Sequence, residues 1–241
     1  MRWEPGGVPE GSADLIEAVI FDMDGVIVDS EIWWDEVRSA FAAEHDRTWT
    51  GADQAAVMGA NSAGWARIMR DRLELAMPQA DIQRAIVDGV AGRFRRDGAP
   101  LIDGAIESVR RIAARLPVAI ASSSHRDVID QALVATGLGD VFTVVVSSDD
   151  VAHGKPAPDV YLEAARRLGV PPAACLVVED SYNGVRAGKE AGMFVVLVPN
   201  HSVPPAPGTA DAADLVLDRL ADLDPGTIEP RVADVTLDGP S

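Results

Sequence analysis

The chain has 241 residues and carries 38 Asp plus Glu against 21 Lys plus Arg, a formal charge of −17. So acidic a surface repels a polyanion unless one face is strongly basic, which excludes nucleic acid as an expected partner. With 47% hydrophobic residues the chain can bury a sizeable core in one or two domains, and Lys155 and Lys189 are its only lysines.

Residues 1–14, rich in Gly and Pro and lacking an uninterrupted apolar stretch, read as a flexible leader rather than a signal peptide. Nothing in the chain approaches the ~18 consecutive apolar residues of a membrane span. The single cysteine, Cys175, sits in an apolar run as a small hydrophobe, and a reducing cytoplasmic setting fits it. Ala18 to Phe21 is a short β-branched run ending at Asp22, the pattern of a buried parallel strand. Residues 30–98 contain no convincing strand. Trp33, Val37 and Phe41 share one helix face there, as do Ile68, Met69 and Leu73, and then Ile82, Ile86, Val87 and Val90. This helical insertion is a lid over the strand ends or an accessory bundle, and its entry directly after the first strand favours the lid.

Beyond the insertion, Ile102, Ile106, Val109, Ile112 and Ala113 keep helical spacing before a strand at Val118 to Ala121. A helix starts near Arg126, a strand follows at Val141 to Val146, and Val160, Ala164, Ala165 and Leu168 mark a helix stopped by Gly169 and a Pro pair. Further strands read at Leu176 to Val178, Phe194 to Val198 and Leu215 to Leu217, and residues 223–241 read as a flexible tail. Strands alternating with helices predict an α/β fold, a Rossmann-like and mostly parallel sheet built from residues 15–29 and 99–222. Ligands of such sheets bind outside the carboxyl ends of the strands, so the residues just after each apolar run are the candidates for chemistry.

Asp22-Met23-Asp24-Gly25 follows the first strand. Two carboxylates two residues apart suit a hard cation or an acid/base pair, and equally a plain turn. A calcium loop is excluded, because it needs Gly sixth and Glu twelfth, where this stretch has Gly25 fourth and Trp33 twelfth. Glu179-Asp180 follows a later strand. Those acids would cap the next helix, or join Asp22 and Asp24 in one cleft whose mutual repulsion a divalent cation relieves. Oxygen donors favour Mg²⁺ over zinc, and the four scattered His residues show no zinc spacing. Lys155, between Gly154 and Pro156, is either solvated surface or a compact charge that Arg could not replace. Ser122-Ser123-Ser124, opening a helix, offers an N-cap, an anion seat, or both.

The order Asp22-x-Asp24, Ser122, Lys155, Glu179-Asp180 resembles the haloacid-dehalogenase-like superfamily, especially its phosphatases and β-phosphoglucomutase-like members. The strings FDMDGVIVDSE, GKPAPDVYLEAARRLGV and VVEDSYNGVRAGKEAGM carry the likeness, which spans roughly residues 15 to 222. It implies that residues 30–98 are the cap and that the chain is a Mg²⁺-dependent phosphatase. Asp22 would attack phosphorus and form an aspartyl phosphate, and Asp24 would serve as acid and then base. Ser122, the Ser123 backbone and Lys155 would hold the transferring group. The metal set implied is Asp22, Asp24 through its backbone carbonyl, and Asp180, with Glu179 behind them. Asp24 argues against dehalogenation, and a cap without lysine argues against the Schiff-base phosphonate route. Trp34 stands where the mutases carry a His, and Gly59-Ala60-Asn61-Ser62 lacks the mutases' phosphate-gripping Arg. Water is therefore the expected acceptor and a small sugar or polyol phosphate the expected substrate. A phosphosugar mutase, and a silent binding relative of the same fold, are the alternatives.

Overall fold

A computed structural model describes residues 16–57 and 60–228. The predicted leader and Gly59 lie outside the described residues.

The sheet has six strands: β1 (Ala18–Phe21), β2 (Val118–Ser122), β3 (Val144–Ser147), β4 (Cys175–Glu179), β5 (Phe194–Leu197) and β6 (Leu215–Val216). They run in the order β3-β2-β1-β4-β5-β6, and every neighbouring pair is parallel. Alternation along each strand feeds two layers of core. Val19, Phe21, Ile120, Leu176 and Val178 face one side, towards α5 (Ala105–Ala113) and α6 (Arg126–Thr136). Ala18, Ile20, Cys175 and Val177 face the other, towards α7 (Asp159–Leu168) and α8 (Tyr182–Glu190). A one-turn helix, α9 (Thr209–Ala212), precedes β6.

Between β1 and β2 the chain leaves the sheet to form α1 (Glu31–Glu44), α2 (Gly51–Val57), α3 (Ser62–Arg72) and α4 (Gln79–Asp97), without a strand among the described residues from 30 to 98. The outgoing and returning segments run side by side. Ile102 N–H donates to Ile27 O at 3.0 Å, and Asp29 N–H to Pro100 O at 2.7 Å. Trp33 packs edge-on against Phe94 at 5.1 Å, with the Arg93 guanidinium 4.9 Å from its ring, so this indole belongs to the interior of the insert. No helix among the described residues is long and apolar enough to cross a membrane.

Three boundaries differ from the sequence reading by more than one residue. Thr143 N–H and Oγ1 both bond Val118 O, which holds Val141 to Thr143 as a connection and delays β3 until Val144 pairs with Ala119. Ile102 precedes its helix, because Gly104 at φ +70 turns the chain before α5 begins. The predicted tail starts inside the core: Leu223 is fully buried, Ile228 packs with it, and Asp224 caps the short 3₁₀ turn Pro225–Thr227.

Candidate active site

The in-register pairing fixes the site. Phe21 lies opposite Val178 across the β1–β4 ladder, so Asp22 and Glu179, the next residues, stand level on neighbouring strands and point to the same face. This is where the strand order runs outward in both directions from β1, the crevice in which such sheets bind ligands.

Lys155, in the loop between β3 and α7, comes up between these two carboxylates. Its Nζ donates to Asp22 Oδ1 at 2.8 Å and to Glu179 Oε1 at 2.6 Å, and all three side chains are buried. Tyr161 on α7 lies beneath them, its hydroxyl donating to Glu179 Oε1 at 2.7 Å and its ring 4.9 Å from Lys155 Nζ. The second oxygen of Glu179 accepts from Asp180 N–H, Ser181 N–H and Ser181 Oγ at 3.0, 3.1 and 3.0 Å. Both oxygens of Glu179 are thus committed to the protein. Gly184 makes room for it, since a Cβ there would stand 1.7 Å from Glu179 Oε1. Gly25, at φ +85, does the same for Asp180: a Cβ would lie 2.0 Å from Asp180 Oδ2.

Charge at this spot is unbalanced. Carboxylate oxygens of Asp22, Glu179 and Asp180 lie within 4.8 Å of one another, three acids against the single Lys155 ammonium. Burial pushes the Asp22 carboxyl up to about 7, and Glu179 and Asp24 add to the rise against the pull of Lys155. Burial also drives Asp180 well above the usual carboxylate range, helped by Glu179 and Asp22. Burial would raise Glu179 too, but Lys155, Tyr161 and the Ser181 N–H outweigh it and hold it low. For Lys155 burial works against the charge, and Asp22 and Glu179 more than reverse it, leaving the ammonium held above its ordinary range. Two carboxyls that resist ionisation beside a fixed acid form an all-oxygen set short of positive charge, which suits a hard divalent cation.

Asp24 is turned elsewhere. Its Oδ1 accepts from the Ser30 hydroxyl, and its Oδ2 from the Ser124 hydroxyl at 2.8 Å and the Ser122 hydroxyl at 3.5 Å. Its carboxylate therefore stands apart from the three-acid cluster. Ser123 and Ser124 line the cleft, whereas Ser122 is fully buried at the end of β2, where its oxygen accepts the Ser124 N–H at 3.0 Å. The cleft itself holds about 320 Å³, the size for a small metabolite. Its far wall comes from the insert: Glu31, Trp34, Arg38, Val57, Ala60 and Trp65. Val203 to Ala206 closes one side, beyond Asn200, whose Nδ2 is tied to Asp29 Oδ1 at 3.1 Å.

All the residues anticipated from the sequence, Asp22, Asp24, Ser122, Ser123, Lys155, Glu179 and Asp180, gather at this end of the sheet. Tyr161 and the polar pair Glu31 and Arg38 were missed, and Ser124, named only within the serine run, bonds Asp24 more closely than Ser122 does. Arg38 did leave a signal, a charge four residues after Trp34 and three before Phe41 on the apolar side of α1.

The sequence pattern of the haloacid dehalogenase-like hydrolase family matches residues 16–192. The chain is 33% identical over 185 residues to the fructose-1-phosphate phosphatase YqaB of Escherichia coli (strain K12), covering 74% of this chain and 94% of that protein. It is 31% identical over 211 residues to the bifunctional riboflavin kinase/FMN phosphatase of Arabidopsis thaliana, covering 87% of this chain but 55% of that one, so it spans about half of that relative. Among solved structures, CbbY from Rhodobacter sphaeroides in complex with phosphate superposes with a TM-score of 0.73 at 27% identity, over 86% of this chain and 96% of that one. Strand order, insertion point and family match agree, and the chain belongs to the haloacid dehalogenase-like hydrolases, in the branch with a helical cap between β1 and β2.

Proposed function

We propose that this protein hydrolyses the phosphate monoester of a small sugar or polyol through an aspartyl phosphate on Asp22. The observation that carries the reading is the buried set of Asp22, Lys155, Glu179 and Asp180, with Asp24 held two residues beyond the nucleophile by serine hydroxyls. Asp22 attacks phosphorus and forms the new P–O bond as the ester P–O bond breaks; Asp24 gives its proton to the departing alkoxide. Water then attacks the aspartyl phosphate, Asp24 takes a proton from it, and orthophosphate leaves with Asp22 restored.

Lys155, bonded to Asp22 Oδ1, leaves Oδ2 for the attack and faces the negative charge shared by the nucleophile and the phosphoryl group. Ser123 and Ser124 border the phosphoryl seat, and Ser122 joins them by exchanging Asp24 for a phosphoryl oxygen. Mg²⁺, held by Asp22, Asp180 and the Asp24 backbone carbonyl, would neutralise the charge gathered on the transferring oxygens. Glu179 organises this set rather than ligating, because its oxygens already accept from Lys155, Tyr161, Asp180 and Ser181. The cap acts as the lid, and no His is among the described residues lining the cleft, which favours water over a second sugar as acceptor. The fructose-1-phosphate activity of the E. coli relative supports a sugar phosphate as substrate class.

The test is Mg²⁺-dependent phosphate release across sugar, polyol and nucleoside monophosphates, with p-nitrophenyl phosphate as a generic ester and Asp22→Asn as control. Release by wild type and none by the variant is expected. A wild type inert on every ester, or an equally active Asp22→Asn, overturns the reading.

A further inference from the structure

Two cations line the cleft, and they are in opposite situations. Lys155 is paired directly with Asp22 and Glu179. Arg38, on α1 of the cap, is buried to the same degree, yet no carboxylate lies within 4.0 Å of it among the described residues. Its one hydrogen bond there runs from Nη1 to Gln54 Oε1 at 3.0 Å, and its Nε has no partner. Indole rings cover its surroundings, Trp34 at 5.0 Å and Trp65 at 5.5 Å from the guanidinium carbon.

The arrangement is rigid. Gln54 Oε1 also accepts from Trp49 Nε1 at 3.2 Å, and its Nε2 faces Glu31 Oε2 at 3.4 Å, so the amide that pins Nη1 cannot turn freely. With Nη1 pinned and the two rings in place, the guanidinium keeps one direction, and the side-on edge formed by Nε and Nη2 is left without an acceptor. The indoles attract the guanidinium, and Glu31, Asp35 and Asp24 act on it from beyond contact distance, yet burial still outweighs them, so the charge is costly to keep without a direct partner. Two parallel N–H donors match the paired oxygens of a carboxylate or phosphate, whereas a lone hydroxyl answers only one of them and leaves the charge unmet.

We propose that Arg38 is a specificity-determining residue that receives an oxyanion, a carboxylate or a second phosphate, at the end of the substrate remote from the reacting phosphoryl group, on the Nε and Nη2 edge of its guanidinium. This deepens the phosphatase reading and rests on it. The cap wall thus selects for a phosphate ester that carries a second negative charge, even though the protein as a whole is strongly acidic.

The experiment compares matched esters: 2-phosphoglycolate against 2-hydroxyethyl phosphate, and fructose 1,6-bisphosphate against fructose 1-phosphate, in wild type, Arg38→Gln and Arg38→Lys. Wild type should favour the anionic member of one pair by about tenfold or more in kcat/KM, and which pair identifies carboxylate or phosphate. In Arg38→Gln that ratio should collapse towards one, the loss lying in KM rather than kcat. Arg38→Lys, which keeps the charge but not the paired donors, should fall between the two. Binding of the same esters to Asp22→Asn in Mg²⁺, with and without Arg38→Gln, reads the subsite without turnover and holds even if a variant is catalytically poor. Circular dichroism melting screens out a variant that unpacks Trp34 and Trp65, and Arg38→Lys then carries the comparison. No preference for either anionic ester in wild type, or an equal loss on both members of a pair, overturns the proposal while hydrolysis of p-nitrophenyl phosphate leaves the phosphatase reading standing. Failure to hydrolyse any ester sinks that reading, and the binding arm still decides the subsite.

Discussion

Replacing Lys155 with Met tests how far the site depends on one buried cation. The ammonium lies 2.8 Å from Asp22 Oδ1 and 2.6 Å from Glu179 Oε1, with its side chain 3% exposed. At an effective dielectric constant of ~20 each contact is a gross attraction on the order of 6 kcal/mol, most of which offsets the desolvation of three charged groups. Removing the Lys leaves both carboxylates buried and unpaired, a loss of ~3–5 kcal/mol. That is a large share of the ~5–15 kcal/mol that holds an ordinary domain folded. Lys189→Met is the internal comparison, because Lys189 Nζ meets Asp214 at 2.6 Å with 40% of its side chain exposed, and exposed pairs are worth ~0–1 kcal/mol. Urea unfolding followed by circular dichroism, in EDTA at about pH 7.5, should separate the two variants by at least 2 kcal/mol. The gap should narrow towards about pH 5, where the orphaned carboxylates take up protons. If Lys155→Met falls within 1 kcal/mol of wild type, or the two lysine variants lose equally, the cation is not what holds the cluster together.

Two further outcomes follow from the same geometry. Gly184→Ala places a methyl 1.7 Å from Glu179 Oε1, so it should cut phosphate release and the Mg²⁺-induced rise in Tm without altering any charged residue; normal values of both would show that Glu179 is free to move. In metal-free protein, Asp22 and Asp180 hold protons at pH values where the unfolded chain has lost them, so stability falls as pH rises from the ordinary 3.8 through about 7. Glu179, held low, opposes that fall only near its ordinary 4.5, where the unfolded chain still binds its proton, and adds no slope once the pH is well above it. The Tm difference between Mg²⁺ and EDTA samples should therefore widen from about pH 5 to about pH 7.5, and a constant difference would refute the assignment of the cluster as the cation site.

The cluster was legible because parallel strands bring their ends to one side: once Ala18 to Phe21 and Leu176 to Val178 read as strands, both acidic pairs fell at strand ends, and the pairing of β1 with β4 makes Asp22 and Glu179 neighbours. Lys155 stood out through the rarity of lysine. Tyr161 did not, because a phenol at the start of α7 looks like one more core residue until the sheet supplies Glu179 above it. Ser124 was hidden behind Ser122, since only the turn after β2 decides which hydroxyl reaches Asp24. Leu223 and Ile228 were hidden by Pro225 and Gly226, which signal a loose end locally although α5 and the turn at Leu220 offer a surface to pack on.

The side-by-side crossing of the two linkers has a consequence for how such a protein can change. Ile27 to Asp29 and Pro100 to Ile102 are already joined by hydrogen bonds, so the sheet meets the whole helical unit as if it were a single short loop with its ends tied. Lengthening, shortening or exchanging what hangs from that junction alters the closure entropy only slowly, because it grows with the logarithm of loop length. Asp22, Lys155 and Glu179 are carried by strands and loops that do not pass through the junction a second time. Substrate recognition can therefore be rewritten as an interchangeable part, grafted from one ancestor to another, while the chemistry beneath it is inherited unchanged.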